Sequence, residues 1–138
     1  DPDTGFVRLD RMYVANDVGT VINPMLLEGQ MHGGLAQGIG QAMFENIVYD
    51  EDTGQLLSAS FMDYAMPRAN DFPHFDVDVH PIPTDTNPLG VKGAGETGTV
   101  GAPAAVMNAI SDALHSKGAA PVEMPATPEK VWRALNAA

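Results

Sequence analysis

The chain has 138 residues, 44% of them hydrophobic and 18% charged, a composition typical of one folded domain. Its formal net charge of -11 argues against nucleic acid and anionic membranes as partners, because both bind basic surfaces. The absence of cysteine excludes disulfides, thiolate nucleophiles and cysteine-ligated iron–sulfur clusters from this chain. No apolar run approaches the roughly 20 residues of a membrane span.

The N-terminal segment is a turn sequence, Asp1-Pro2-Asp3-Thr4-Gly5, without an initiator methionine or a signal peptide. Residues 6–15 follow as a predicted strand, rich in β-branched and aromatic types. A chain that begins on a turn before a strand indicates a piece of a longer subunit, so we expect residues 1–138 to form a single domain of such a piece.

A long helix is predicted over residues 24–44. Asn23 can cap its first turn and Pro24 suits the first helical position. An apolar stripe with four-residue spacing follows: Leu27, Met31, Leu35, Ile39 and Met43.

Glycines interrupt this helix at five positions: Gly29, Gly33, Gly34, Gly38 and Gly40. Each costs roughly 1 kcal/mol relative to alanine in a helix interior. Close approach of another backbone, or of a bulky ligand, is the physical reason that we expect for them.

The remaining elements predict an α+β fold. A hairpin is predicted over 45–62, a half-buried strand over 75–82, a long loop over 83–102, a helix over 103–117, and a last helix from Thr127-Pro128. The hairpin and the alternating strand favour a small mixed or antiparallel sheet, with the glycine-rich helix and two C-terminal helices packed on it.

The long loop contains a glycine-rich stretch, residues 90–98, around Glu96. Lys92 lies four residues before this carboxylate. In a tight, partly dry loop the pKa of a carboxylate can rise toward neutrality, which suits a general base. The alternative is a turn-rich loop with an exposed glutamate.

Gly93, Gly95 and Gly98 also match the spacing of a dinucleotide-binding fingerprint. That motif needs a buried strand before it and a helix that starts within it. Asn87-Pro88-Leu89-Gly90 is a poor central strand, and the next helix is predicted only near Pro103. Dinucleotide binding by this stretch is therefore disfavoured.

Two further groups of polar residues are weaker candidates. Gln30 and Gln41 share one helix side with two glycines, which suits a heteroaromatic or phosphate-bearing ligand; the alternative is helix packing through small residues, with Gln30 in solvent. Asp76, Asp78 and His80 share one strand face, where a solvated surface is favoured over a metal site.

Several motifs, in order along residues 6–135, resemble the molybdopterin-binding large subunit of the xanthine oxidase and aldehyde oxidase family. They are Asp17-Val-Gly-Thr-Val-Ile-Asn-Pro24, Glu28-Gly-Gln-Met-His-Gly-Gly34, Gln37-Gly-Ile-Gly40 and Asn87-Pro-Leu-Gly-Val-Lys-Gly-Ala-Gly-Glu96. Met124-Pro-Ala-Thr-Pro-Glu-Lys-Val-Trp132 is similar to the tail of large subunits of the aerobic carbon monoxide dehydrogenase type. The chain would then be a C-terminal fragment of such a subunit.

The resemblance implies roles for particular residues. Glu96 matches the general base beside the molybdenum, and Gly29 and Gln30 match the motif that contacts the pterin. Lys92, Gly93, Ala94 and Gly95 match the loop that frames the cofactor, and no metal ligand is implied in this chain. The xanthine oxidase branch has proline after the glutamate, whereas Thr97 follows here, which favours the carbon monoxide dehydrogenase and bacterial aldehyde or heterocycle branch.

The resemblance also implies a cytoplasmic molybdenum hydroxylase or dehydrogenase that oxidises a small substrate with water as the oxygen source. Its cofactor would be molybdenum-molybdopterin in the cytosine dinucleotide form. Its partners would be the remainder of the large subunit, an FAD-binding subunit and a subunit with [2Fe-2S] clusters, and this piece alone would be inactive. The alternative is a non-catalytic binding or structural module that packs on a larger subunit.

Overall fold

A computed structural model describes residues 1–137 and shows three helices with a two-stranded sheet, which confirms the α+β class. In chain order the elements are β1 (Met12–Asn16), α1 (Pro24–Met43), a short 3-10 helix (Ala69–Asp71), β2 (Phe75–Val79), α2 (Thr97–His115) and α3 (Pro128–Asn136). None of the helices in this described part is long and apolar enough to cross a membrane.

The two strands pair in parallel, with Met12 opposite Phe75 and Asn16 opposite Val79. The preference for antiparallel pairing was therefore wrong for this sheet. It relied on the hairpin signals of residues 45–62, but the sheet is formed by strands on either side of α1. A connection that contains a helix is long enough to return the chain in the parallel direction.

Antiparallel pairing occurs only as isolated bridges within the described residues. Tyr49 pairs with Leu56 in the predicted hairpin, and Gly19 pairs with Val91. The hairpin thus forms its turn without regular strands, and the first predicted strand is regular only from Met12 onward.

Helix α1 begins where the sequence predicts. The Asn23 side chain accepts a hydrogen bond from the Leu26 amide at 3.1 Å, and Pro24 opens the helix. The predicted apolar stripe is buried along its whole length: Leu27, Met31, Leu35, Ile39 and Met43.

Helix α2 begins at Thr97, six residues before the predicted start at Pro103. The first turns contain Gly98 and Gly101, which disfavour a helix by propensity alone. They form because α2 packs closely on α1: a Cβ placed on Gly98 would lie 2.7 Å from the Met31 carbonyl oxygen. This contact between distant segments compensates for the weak local propensity, and no local pattern predicts it.

The core has two parts. The larger is formed by α1, α2 and α3 and includes Ile39, Val106, Ile110 and Val131. The smaller lies under the first half of α1, where Val18, Leu27 and Met31 are buried against partly buried neighbours that include Val77 and Ala94. This second cluster places the glycine-rich loop beside the first half of α1.

Candidate cofactor-binding site

The loop that leads to Glu96 is held by backbone hydrogen bonds to the segment after β1. The Lys92 amide donates to the Val18 carbonyl, and the Thr20 amide donates to the Gly90 carbonyl, both at 2.9 Å. Gly90 adopts φ +67°, and a Cβ there would lie 2.8 Å from the Pro83 Cβ, so this position requires glycine. Residues 90–92, at the start of the glycine-rich stretch, are therefore held against the segment that follows β1.

Asn87 organises the turn that precedes this bridge. Its side-chain oxygen accepts from the amides of Leu89 and Val91 at 3.1 and 3.2 Å, and its side-chain nitrogen donates to the Val91 carbonyl at 2.9 Å. The sequence motif contained Asn87, but its structural role was not predicted. Asparagine before proline at a turn was the available signal.

Lys92 forms an ion pair with Asp17, a partner 75 residues away in the sequence. Asp17 also accepts from the amides of Gly19 at 2.9 Å and Ile82 at 3.0 Å. These donors, Lys92 first, lower the pKa of Asp17 to about 2. The sequence reasoning placed Lys92 near Glu96 and did not predict this partner.

Glu96 is the residue immediately before α2, and its carbonyl accepts from the amides of Thr99 and Val100. Its side chain makes no capping hydrogen bond and is exposed. The partly dry environment expected for this carboxylate is thus not provided by residues 1–137. Any burial of the carboxylate must come from groups outside them.

The crossing of α1 and α2 brings the Glu96 loop to the first half of α1. A Cβ on Gly34 would lie 2.9 Å from the Thr99 nitrogen and 3.0 Å from Gly98 Cα, and the Thr99 hydroxyl donates to the Gly34 carbonyl at 3.1 Å. Gly34 therefore allows the two helices to pack closely. This agrees with the alternative interpretation of the glycine-rich face, in which small residues serve helix packing. Gln30, one turn earlier, is exposed, as that interpretation also predicted.

A groove of about 300 Å³ brings together three of the predicted site residues. Gln30 from α1 and Lys92 and Ala94 from the loop line it, together with apolar side chains such as Val18 and Leu26. Gly29, Gly93, Gly95 and Glu96 are not among its lining residues. An apolar groove with an amide and an ammonium at its edge suits a ring with polar substituents.

The glycines can be sorted by what the fold requires of them. Of the 14 glycines, most either adopt positive φ or lie where a Cβ would clash. Five do neither, and a Cβ on them would meet nothing within 4 Å: Gly29, Gly33, Gly93, Gly95 and Gly101. The fold does not explain these five, and three of them are predicted cofactor contacts. Close approach of a ligand would explain Gly29, Gly93 and Gly95, whereas Gly33 and Gly101 have no such explanation.

The remaining polar candidates do not form a metal site. Asp78 and His80 form an exposed pair at 3.1 Å, and residues 1–137 contain no group of three or more metal-ligating side chains. The exposure of Asp78 and His80 is what a solvated strand face, the favoured interpretation, predicts.

A larger cavity, about 570 Å³, lies between α1 and β2 and contains none of the predicted site residues. His32 lines it and packs edge-on against Phe75, with ring centroids 5.6 Å apart. We assign the candidate site to the smaller groove, because three of the open glycines, Gly29, Gly93 and Gly95, are sequence neighbours of its lining residues Gln30, Lys92 and Ala94.

Comparison with known proteins confirms the family. Residues 1–73 match the family described as the molybdopterin cofactor-binding domain. The chain is 47% identical to the nicotine 6-hydroxylase large subunit of Paenarthrobacter nicotinovorans, over 99% of this chain and 16% of that protein. It is 41% identical to the carbon monoxide dehydrogenase large chain of Afipia carboxidovorans, over 96% of this chain and 16% of that protein.

The fold also matches one part of a solved enzyme. The structure of reconstituted CO dehydrogenase from Oligotropha carboxidovorans matches with a TM-score of 0.92 at 39% identity, over 99% of this chain and 17% of that one. The chain therefore belongs to the molybdopterin cofactor-binding domain family. It spans about a sixth of the length of the relatives it matches.

Proposed function

We propose that this chain forms part of the molybdopterin site of a molybdenum hydroxylase or dehydrogenase and contributes its catalytic base, Glu96. The observation that carries the proposal is a set of three open glycines that are next in sequence to residues lining the groove. Gly29, Gly93 and Gly95 leave space that no atom of the described chain uses. The family match supports a molybdopterin cofactor as the occupant of that space.

The residues around the groove fit such a cofactor. Gln30 can donate and accept hydrogen bonds at a heteroaromatic ring, and Gly29 beside it lets the ring come close to the helix backbone. The backbone of Gly93, Ala94 and Gly95 would also hold the cofactor. When bound, the cofactor supplies the redox chemistry that oxidises the substrate with water as the oxygen source.

Glu96 is proposed to take up the proton that the oxygen nucleophile loses during the attack on substrate. Its carboxylate makes no capping hydrogen bond and is exposed, which leaves it accessible to that proton. Its position at the end of the framing loop, two residues after the groove-lining Ala94, supports this role. Lys92, held by Asp17, helps to shape the loop rather than pairing with this base.

The remaining features of the enzyme are proposed from the relatives. Carbon monoxide dehydrogenase and nicotine 6-hydroxylase indicate a small substrate, such as carbon monoxide, an aldehyde or an N-heterocycle. We propose the cytosine dinucleotide form of the cofactor, a cytoplasmic enzyme, and FAD-binding and [2Fe-2S] partner subunits. The remainder of the large subunit would complete the site, and residues 1–138 alone, a single C-terminal domain, would be inactive.

The test is the molybdenum and pterin content of the assembled enzyme that carries this chain, purified from a host that matures molybdenum enzymes. We expect stoichiometric molybdenum and dye reduction with a substrate. Gly93→Val should lower the molybdenum content several-fold without unfolding the chain, because the added side chain enters open space that the cofactor would use. Gly101→Val, an open glycine away from the loop, is the matched control.

The competing function is a non-catalytic module that packs on a larger subunit. An assembly without molybdenum, from a host in which a control molybdenum enzyme is fully loaded, would support that module and refute our proposal. Equal molybdenum contents in the Gly93 and Gly101 variants would refute the assignment of the loop as a cofactor contact.

A further inference from the structure

The Asp17 carboxylate lies where three separate segments of the chain meet. One oxygen accepts from the amides of Gly19, just after β1, and Ile82, just after β2. The other oxygen accepts from the Lys92 ammonium in the Glu96 loop. A single side chain thus connects the ends of both strands with the loop that carries the proposed base.

The loop has few contacts between Lys92 and α2: Ala94 packs against the small core cluster, and the Glu96 carbonyl accepts from the first turn of α2. Its backbone bonds to the Val18 segment end at Lys92. Gly93 and Gly95 then follow, and glycine gives the chain more conformational freedom than any other residue. Lys92 is therefore the last residue before Glu96 that both a backbone hydrogen bond and an ion pair hold in place.

The ion pair also determines where the ammonium lies. Among the described residues, Asp17 is the only carboxylate within 4.0 Å of the Lys92 nitrogen. A lysine four residues from a glutamate can pair with it where the chain is helical, and α2 begins only after Glu96. Asp17 thus keeps the ammonium on the strand ends and leaves the Glu96 carboxylate without an ion pair.

We propose that Asp17 is a positioning residue for Glu96 and acts through Lys92. The proposal rests on the function proposed above for Glu96. Asp17 itself contacts neither substrate nor cofactor in this account. It fixes the start of the loop so that Glu96 lies at a defined position beside the groove.

Three substitutions separate the Asp17–Lys92 ion pair from the other contacts of these two side chains. Asp17→Asn keeps the oxygen that accepts from Gly19 and Ile82 and removes the charge that binds Lys92. Lys92→Met removes the ammonium and keeps a stem of similar length, and Lys92→Arg keeps the charge. Glu129→Gln is the matched control, because it breaks an exposed ion pair with Arg133 on α3, away from the loop.

Hydrogen–deuterium exchange of the assembled enzyme tests the anchor without any turnover. We expect the peptide that contains Lys92 and Glu96 to exchange about three- to tenfold faster in Asp17→Asn and Lys92→Met, the scale of a lost charge-assisted hydrogen bond at a partly exposed site. Peptides of α1 and the Glu129→Gln variant should exchange at wild-type rates, and Lys92→Arg should restore slow exchange. Wild-type exchange rates of this peptide in both Asp17→Asn and Lys92→Met would overturn the proposal.

Steady-state kinetics test the positioning role. In Asp17→Asn we expect kcat to fall about three- to tenfold, with KM and molybdenum content within about twofold of wild type, because the base is displaced while substrate binding is retained. Faster exchange with an unchanged kcat would refute the positioning role. If Glu96→Gln keeps full turnover, the proposed base is wrong, and the exchange result still decides whether Asp17 anchors the loop.

Discussion

For Lys92 and Glu96, the sequence predicts the loop that contains them but not the contacts of their side chains. Their spacing in a glycine-rich stretch predicts a functional loop, and the groove does contain Lys92 beside Gln30 and Ala94. The partner of Lys92 lies 75 residues away. Spacing along the chain cannot reveal such a contact, because it forms only when the ends of two strands are brought together.

The Asp17 contact predicts a specific dependence of stability on pH. The pKa of this carboxyl lies at about 2 rather than 3.8, because Lys92 and two amides donate to it. As pH falls, the unfolded chain therefore takes up the proton first. The contribution of Asp17 to the free energy of unfolding is complete above about pH 5 and is lost as pH falls through the unfolded and then the folded pKa.

Thermal unfolding of wild type and Asp17→Asn between pH 6 and about 2 measures this contribution. The difference in melting temperature should be constant near neutrality and should shrink as the solution becomes acidic. Glu129→Gln, which removes an exposed pair, corrects for general changes in charge. A difference that does not change with pH would show that the ionised carboxylate is not the stabilising form.

At the scale of elements, local sequence predicts where a helix begins when a capping residue and a proline mark the position. Asn23-Pro24 and Thr127-Pro128 both do so, and α1 and α3 begin there. The start of α2 was predicted too late, because the close approach of Gly98 to α1 is a contact between distant segments.

The early start of α2 removes one objection to a dinucleotide fingerprint at Gly93, Gly95 and Gly98, since a helix does start within the motif. The buried strand that the fingerprint requires is still absent from the described residues before it.

Two adjacent glycines of α1 test the packing explanation. Gly34→Ala should lower the free energy of unfolding by about 1–3 kcal/mol, the usual cost of overpacking, because its Cβ would meet the α2 backbone at 2.9 Å. Gly33→Ala should raise it by up to about 1 kcal/mol through helix propensity, since a Cβ there meets nothing within 4 Å. Chemical denaturation of both variants measures the two values. Equal effects would show that the crossing of the helices does not require glycine at position 34.

At the scale of the whole molecule, many large apolar side chains of residues 1–137 are exposed. They include Phe61, Met25 and Met62. The chain corresponds to about a sixth of its relatives. We therefore expect the remainder of the large subunit to cover much of this surface.

Methionine oxidation can measure that coverage. Met62 is 92% exposed and Met25 is 72% exposed, whereas Met31 and Met43 are buried in the core. In the isolated chain, peroxide should oxidise the two exposed methionines readily, and in the assembled enzyme it should oxidise them slowly. Met31 and Met43 should resist in both samples and serve as internal controls. Equal oxidation of Met62 and Met25 in the two samples would show that these surfaces stay exposed after assembly.

The central claim is that Glu96 is the base of a molybdenum-dependent oxidation, and turnover of Glu96→Gln in the assembled, molybdenum-loaded enzyme tests it most directly. Glutamine keeps the shape of the side chain and cannot take up the proton. Positioned proton transfer contributes about 10²–10⁴-fold to a rate, so we predict that turnover falls at least ~100-fold while molybdenum content is unchanged. Near-wild-type turnover in a fully loaded Gln variant would contradict the account.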